Sequence, residues 1–182
     1  MYGVLQRKIE ESGNDRQERL MLSFEKMFAR EKGTALWELF NFWLGKKVGN
    51  AELPQERDFI DPNHLPKECR SATAWIEAEV EDPFNFVVRN HPSMSAWENQ
   101  SDRRLAELES AMNARSIATE YMFCKKMRQP MYYEIEQNVG SNRRHYVRLL
   151  LPVLNDTHNV TKLVYAVRMF SATGLKSPSF NS

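Results

Sequence analysis

The chain has 182 residues, enough for one domain with a buried core plus an extension and short for two ordinary domains. Its 25 Lys and Arg nearly cancel 24 Asp and Glu, leaving a formal net charge of +1, so no global field draws it to nucleic acid or an anionic membrane. The two cysteines, Cys69 and Cys124, stand far apart and in no metal-ligand spacing, which argues against a disulfide framework or a zinc site.

The charged stretch 6–18 has too few apolar residues to specify packing and is expected to be frayed. Over residues 16–30, Leu20, Phe24, Met27 and Phe28 fall at i, i+4, i+7 and i+8, the spacing of an amphipathic helix. Gly33 stops it, and Thr34 is placed to cap a second helix over 35–46. Leu36, Trp37, Leu39, Phe40, Phe42, Trp43 and Leu44 leave that helix almost no polar face, so it must be covered on most sides. A core helix of the same chain is the simpler reading. Packing against its counterpart in a homodimer is the other, and makes Trp37, Phe40, Trp43 and Leu44 candidate interface residues.

Three prolines, Pro54, Pro62 and Pro66, make residues 53–66 a wrapping linker. Residues 73–80 alternate, with Ile76, Ala78 and Val80 opposite Trp75, Glu77 and Glu79; after Glu81-Asp82-Pro83 a second short strand runs over 84–89. Ser101 is placed to cap a helix carrying Leu105, Leu108 and Met112, and a further helix is expected over 116–126. The last third holds three β-rich runs, 131–137, 145–154 and 160–170. Turn clusters around Gly140 and from Asn155 to Asn159 divide them, so an antiparallel meander is predicted.

Two motifs carry a resemblance. Arg57-Asp58-Phe59-Ile60-Asp61-Pro62-Asn63-His64-Leu65-Pro66, after the aromatic helix end Phe42-Trp43-Leu44, together with Tyr146-Val147-Arg148-Leu149-Leu150-Leu151-Pro152-Val153, resembles a family of short, mostly single-domain PAS-like proteins of alphaproteobacteria. The likeness spans residues 36–169, and the order of two strands, helices and three strands agrees with it. Arg89-Asn90-His91-Pro92-Ser93-Met94 departs from the family, which continues the second strand into a glycine-containing turn. The expected fold class is α+β: a PAS-like five-stranded antiparallel sheet with helices on one side and an amino-terminal helical extension. Residues 1–33 would form the charged segment and amphipathic helix, 34–170 the PAS-like domain and 171–182 a flexible tail. The resemblance implies a noncatalytic sensory module that binds a small ligand or a partner protein and signals through its amino-terminal helices. An output partner would be a separate protein.

If Ala78, Phe84, Phe86, Val88, Tyr133, Ile135, Val147, Leu149, Val164 and Ala166 line one inner side of the sheet, they build an apolar core or cavity. Arg89 and His91, with Trp97 nearby, could hold a small anion or an aromatic ligand by charge and stacking, and Tyr121 and Tyr133 could present hydroxyls. Arg143-Arg144-His145-Tyr146-Val147-Arg148 has the composition of a nucleic-acid contact. On a strand, however, only Arg144, Tyr146 and Arg148 share a face, and a solvated face paired with Glu134 and Glu136 is simpler.

No catalytic residues stand out: His64, His91, His145 and His158 are scattered, with no metal-binding spacing and no glycine-rich phosphate loop. The enzymatic alternative is a small α+β cone enzyme, a dehydratase or isomerase with a His and a carboxylate in an apolar cavity. Lys125 and Lys126 beside Cys124 could lower its thiol pKa, but a buried structural cysteine is the usual outcome. No residue pattern names a cofactor. With no apolar run near the roughly 18 residues of a membrane span and no signal-like start, a soluble cytoplasmic protein is expected.

Overall fold

The computed structural model describes residues 3–47, 49, 52–89, 101–108 and 110–174, the last four by backbone alone. Seven strands, β1 (Val4–Ser12), β2 (Asp15–Leu22), β3 (Thr73–Glu77), β4 (Val87–Arg89), β5 (Met131–Val139), β6 (Asn142–Leu154) and β7 (Val160–Gly174), form one antiparallel sheet in the order β1-β2-β5-β6-β7-β3-β4. Three α-helices, α1 (Phe24–Glu31), α2 (Ala35–Gly45) and α3 (Ala111–Met127), complete the fold. No helix of the described residues is long and apolar enough to cross a membrane.

The expected class is corrected in two respects: the sheet has seven strands rather than five, and helices cover both its faces rather than one. The five expected strands are present and contiguous, as β5-β6-β7-β3-β4. The other two come from the stretch read as frayed. Gly13, at φ +60°, and Asn14 make a two-residue turn between the paired residues Ser12 and Asp15, the hairpin geometry that glycine at the first central position allows. The helix expected from residue 16 instead begins at Phe24, where the Ser23 hydroxyl accepts a hydrogen bond from the Lys26 amide (3.4 Å).

Successive strand residues point to opposite faces, and β5 shows what lies on each. The Tyr132 hydroxyl donates to Glu31 of α1 (2.6 Å), while Tyr133 stands opposite Arg148, which pairs with Glu120 of α3. One face therefore carries α1 and α2, the other α3. β6 lies in the middle, buried without a break from Tyr146 to Leu154, as a strand covered on both sides must be. The expected single inner side is divided accordingly: Tyr133 and Ile135 face α3, whereas Val147, Leu149, Val164 and Ala166 share the face of Tyr132. Phe84 is exposed in a 3-10 turn, Pro83–Asn85.

α2 starts as expected, with the Thr34 hydroxyl accepting from the Trp37 amide (3.4 Å). Of the four candidate interface residues, Phe40 and Trp43 are buried in this chain's own core. Phe40 stacks on Phe24 and Trp43, and Trp43 Nε1 donates to the Pro152 carbonyl (3.0 Å). Trp37 is half-buried against Phe28, and Leu44 is exposed. The proline-rich linker wraps through 3-10 turns at Glu56–Asp58, Pro62–His64 and Lys67–Cys69, burying Phe59 and Leu65. The helix expected after Ser101 is reduced to a 3-10 turn, Leu105–Glu107, while the helix expected over 116–126 starts earlier, as α3: Ser110 caps it, its hydroxyl accepting from the Asn113 amide, and it takes in Met112 before ending at Arg128 in a left-handed conformation (φ +54°).

Glu31 fastens α1 to the sheet. Its fully buried carboxylate accepts from Arg168 Nε and Nη2 (both 2.7 Å), from Tyr132 and from the Thr34 hydroxyl. Burial alone would raise its pKa, but the hydrogen bonds from Arg168 and Tyr132 outweigh that and hold it below the ordinary value. A carboxylate lowered in this way contributes stability that is present above its unfolded pKa of about 4.3 and lost as pH falls through the folded value. Glu31→Gln should therefore cost about 3 kcal/mol at pH 7 and reduce the loss of stability on acidification below about pH 4.3, both read from urea unfolding curves.

Candidate ligand-binding cleft

The hairpin, the sheet and α3 enclose a cleft of about 210 Å³. Strand register builds its floor: Gln6 pairs with Met21 and Met21 with Tyr133, while Lys8 pairs with Arg19 and Arg19 with Ile135, so their side chains share the α3 face. Ser116, Thr119, Glu120 and Phe123 of α3 close the other side at helical spacing. At roughly 30 Å³ per water in the liquid, the volume equals about seven waters, enough for a small organic molecule.

Charge is concentrated at the cleft: Arg19, Lys8 and Glu120 line it, and Arg148 and Glu10 are ion-pair partners of lining residues. Arg19, only 3% exposed, donates from Nη1 to both Glu120 oxygens (3.2 and 3.1 Å) and from Nη2 to Asn113 Oδ1 (2.6 Å) and Gln17 Oε1 (2.9 Å). Arg148, equally buried, donates from Nη2 to the same Glu120 and lies over the rings of Tyr121 (5.1 Å) and Tyr133 (5.9 Å). Its Nε has no hydrogen-bond partner among the described residues. Lys8 pairs with Glu10 (2.9 Å), and Glu10 accepts from Gln17 Nε2 (2.7 Å) and the Ser116 hydroxyl. Three cations thus stand against two anions, Glu120 and Glu10.

Burial lowers both guanidiniums below their ordinary pKa. Arg148 falls well below it, and the neighbouring Arg19 charge adds to the effect. The tyrosines around them move the other way: burial raises Tyr121, Tyr133, Tyr146 and Tyr165, so all four are neutral phenols at pH 7. The cluster's surplus positive charge is therefore held in a largely dry setting, where Coulomb interactions with an entering anion are strong.

The sequence-derived site residues separate. Tyr121 and Tyr133 meet at this cluster. Arg89 lies on β4, at the other edge of the sheet from β1, tied to Glu77 (2.9 Å) and to Asp102; His91 and Trp97 lie outside the described residues. The expected solvated basic face is corrected as well. Arg148 is buried under α3, while Glu134 is on the opposite face, bonded to Arg30 (2.7 Å) and His145 (2.8 Å). Sequence reading missed Lys8, Arg19 and Glu120.

Both thiols are free and buried. Burial pushes Cys69 up to about 11 and raises Cys124 too, despite its lysine neighbours. Among the described residues no group of three His, Cys, Asp or Glu side chains is placed to hold a metal ion. Comparison of the chain with protein-family models, with curated proteins and with solved structures finds no match.

Removing the shared carboxylate leaves two buried guanidiniums facing each other, so Glu120→Gln should cost about 3–5 kcal/mol. Arg148→Met keeps the Arg19–Glu120 pair and removes the surplus cation, so it should cost less than half as much. Urea unfolding of the two variants checks the order; equal costs would mean that Glu120 is not shared in solution.

Proposed function

We propose that this protein is a noncatalytic sensory or regulatory module whose cleft takes a small organic anion, a carboxylate carrying an apolar or aromatic body. The observation that supports this reading is the charge imbalance at the cleft: Arg19 and Glu120 line it with Met21, Phe123 and Tyr133, and a second buried guanidinium, Arg148, outside that lining, shares the same Glu120 carboxylate. An anion entering there brings its own charge and sheds its hydration, a cost that the surplus positive charge beside the cleft offsets. The apolar members suit the body of such a ligand.

Occupancy has a physical route to the amino-terminal helices. Tyr133 lines the cleft, and the adjacent Tyr132 donates to Glu31 of α1 on the far face. A small displacement of β5 that reseats Tyr133 also bears on the Tyr132–Glu31–Arg168 group. The resemblance at residues 57–66 and 146–153 points to the same class of sensory module.

The cone-enzyme reading is less favoured. It needs a histidine converging with a carboxylate in the cavity, whereas the cleft offers Glu120 without a histidine among the described residues, and His145 with Glu134 sits on the opposite face.

Titration calorimetry with acetate, succinate, benzoate and inorganic phosphate, with neutral benzamide as control, tests the reading. Benzoate should bind, benzamide should not, and Arg19→Met should weaken benzoate binding by about tenfold or more, the loss of a charge-assisted hydrogen bond. Failure of all four anions, or equal binding of benzamide, would refute it.

A further inference from the structure

β1 is an edge strand of nine residues with no strand on its outer side among the described residues. Such an edge presents unpaired amides and carbonyls to solvent, and charged side chains usually protect it. Here Leu5 and Ile9 are exposed apolar residues on that edge, 63% and 44% accessible. The charges between and beside them are not scattered: Arg7 and Lys8 precede Ile9, and Glu10 and Glu11 follow it.

We infer that β1 pairs antiparallel with β1 of a second copy of this chain, about a two-fold axis at Ile9. In that register Ile9 faces Ile9 of the other copy, Lys8 faces Glu10, and Arg7 faces Glu11. Each charge pair occurs twice by symmetry, four in all, with no like charges opposed. An axis at Lys8 sets lysine against lysine and an axis at Glu10 sets glutamate against glutamate, and neither opposes a cation to an anion. The sequence of this edge is therefore self-complementary in one register, the property that an isologous strand pair requires.

The side chains leave room for it. Arg7 is paired with Glu18 (2.8 Å) and Glu11 with Arg16 (3.2 Å), yet their side chains remain 58% and 67% accessible. An arginine has five donors and a carboxylate about four acceptor sites, so both can take a second partner. Gly13 lies opposite Leu5 at the end of the seam, where no side chain opposes it. The product is one continuous sheet through two protomers. Since Gln6 and Lys8 belong both to β1 and to the cleft wall, the two clefts would lie side by side on the same face of that sheet. This inference stands independently of what the cleft binds.

Sedimentation equilibrium of the full chain should show a dimer. Glu11→Arg, which sets Arg7 against an arginine twice, should weaken dimerisation by about tenfold or more while the far-ultraviolet circular dichroism spectrum stays unchanged; Arg7→Glu combined with Glu11→Arg should restore it. Ile9→Cys should cross-link under oxidation, because directly opposed residues have Cα atoms about 4.5–5.5 Å apart, within the disulfide range. Leu5→Cys should not, since its symmetry mate would lie about 27 Å away. A chain that stays monomeric, a dimer indifferent to Glu11→Arg, or an Ile9→Cys protein that fails to link overturns the proposal.

Discussion

One carboxylate between two guanidiniums organises the α3 side of this protein. Glu120 lies 101 residues from Arg19 and 28 from Arg148, so their contact closes the hairpin, the centre of the sheet and α3 onto one another. The cost of burying three charges is offset unevenly: Asn113, Gln17 and Glu120 take the Arg19 guanidinium, whereas Arg148 has Glu120 and the Tyr121 and Tyr133 rings, its Nε without a partner among the described residues. An apolar cluster of similar volume would serve stability as well or better. Retaining a surplus cation beside a cleft is a physical reason to look there for function.

The opposite face uses charge differently. Glu31 is matched by Arg168 in a two-bond pair, with Tyr132 and Thr34 completing its shell, and Arg30 and His145 flank Glu134. Each of those carboxylates is met by an arginine, Arg168 for Glu31 and Arg30 for Glu134, and the group fixes α1 on the sheet. Between the two sits β5, contributing Tyr132 to one group and Tyr133 to the other.

How far all this could be read from sequence depended on which side of each element was polar. The meander of β5, β6 and β7 and the start of α2 at Thr34 were legible, because apolar runs alternate with turn residues and the cap precedes an apolar helix. The hairpin was not, since its strands invert the usual pattern. Gln6, Lys8, Glu10, Gln17 and Arg19 share the α3 face, Ile9 points away, and Leu5 is exposed at a break in the register. Leu20, Phe24, Met27 and Phe28 matched helical spacing across the Ser23 cap, where a strand gives way to a helix. The Gly13-Asn14 pair between two charged runs was the available signal for the turn. For the cleft, Tyr121 and Tyr133 were within reach of composition. Arg148 read as solvated because arginine is rarely buried without a partner, and its partner lies on another element.

On the reading proposed above, the Arg19–Glu120–Arg148 group offers positive charge to a ligand. The most direct measurement is the arginine side-chain Nε–Hε spectrum in nitrogen-15-labelled protein during titration with benzoate. The Arg19 and Arg148 resonances should move together and saturate while those of exposed Arg16 and Arg143 stay in place. Shifts spread over all arginines, or none at Arg19 and Arg148, would contradict it.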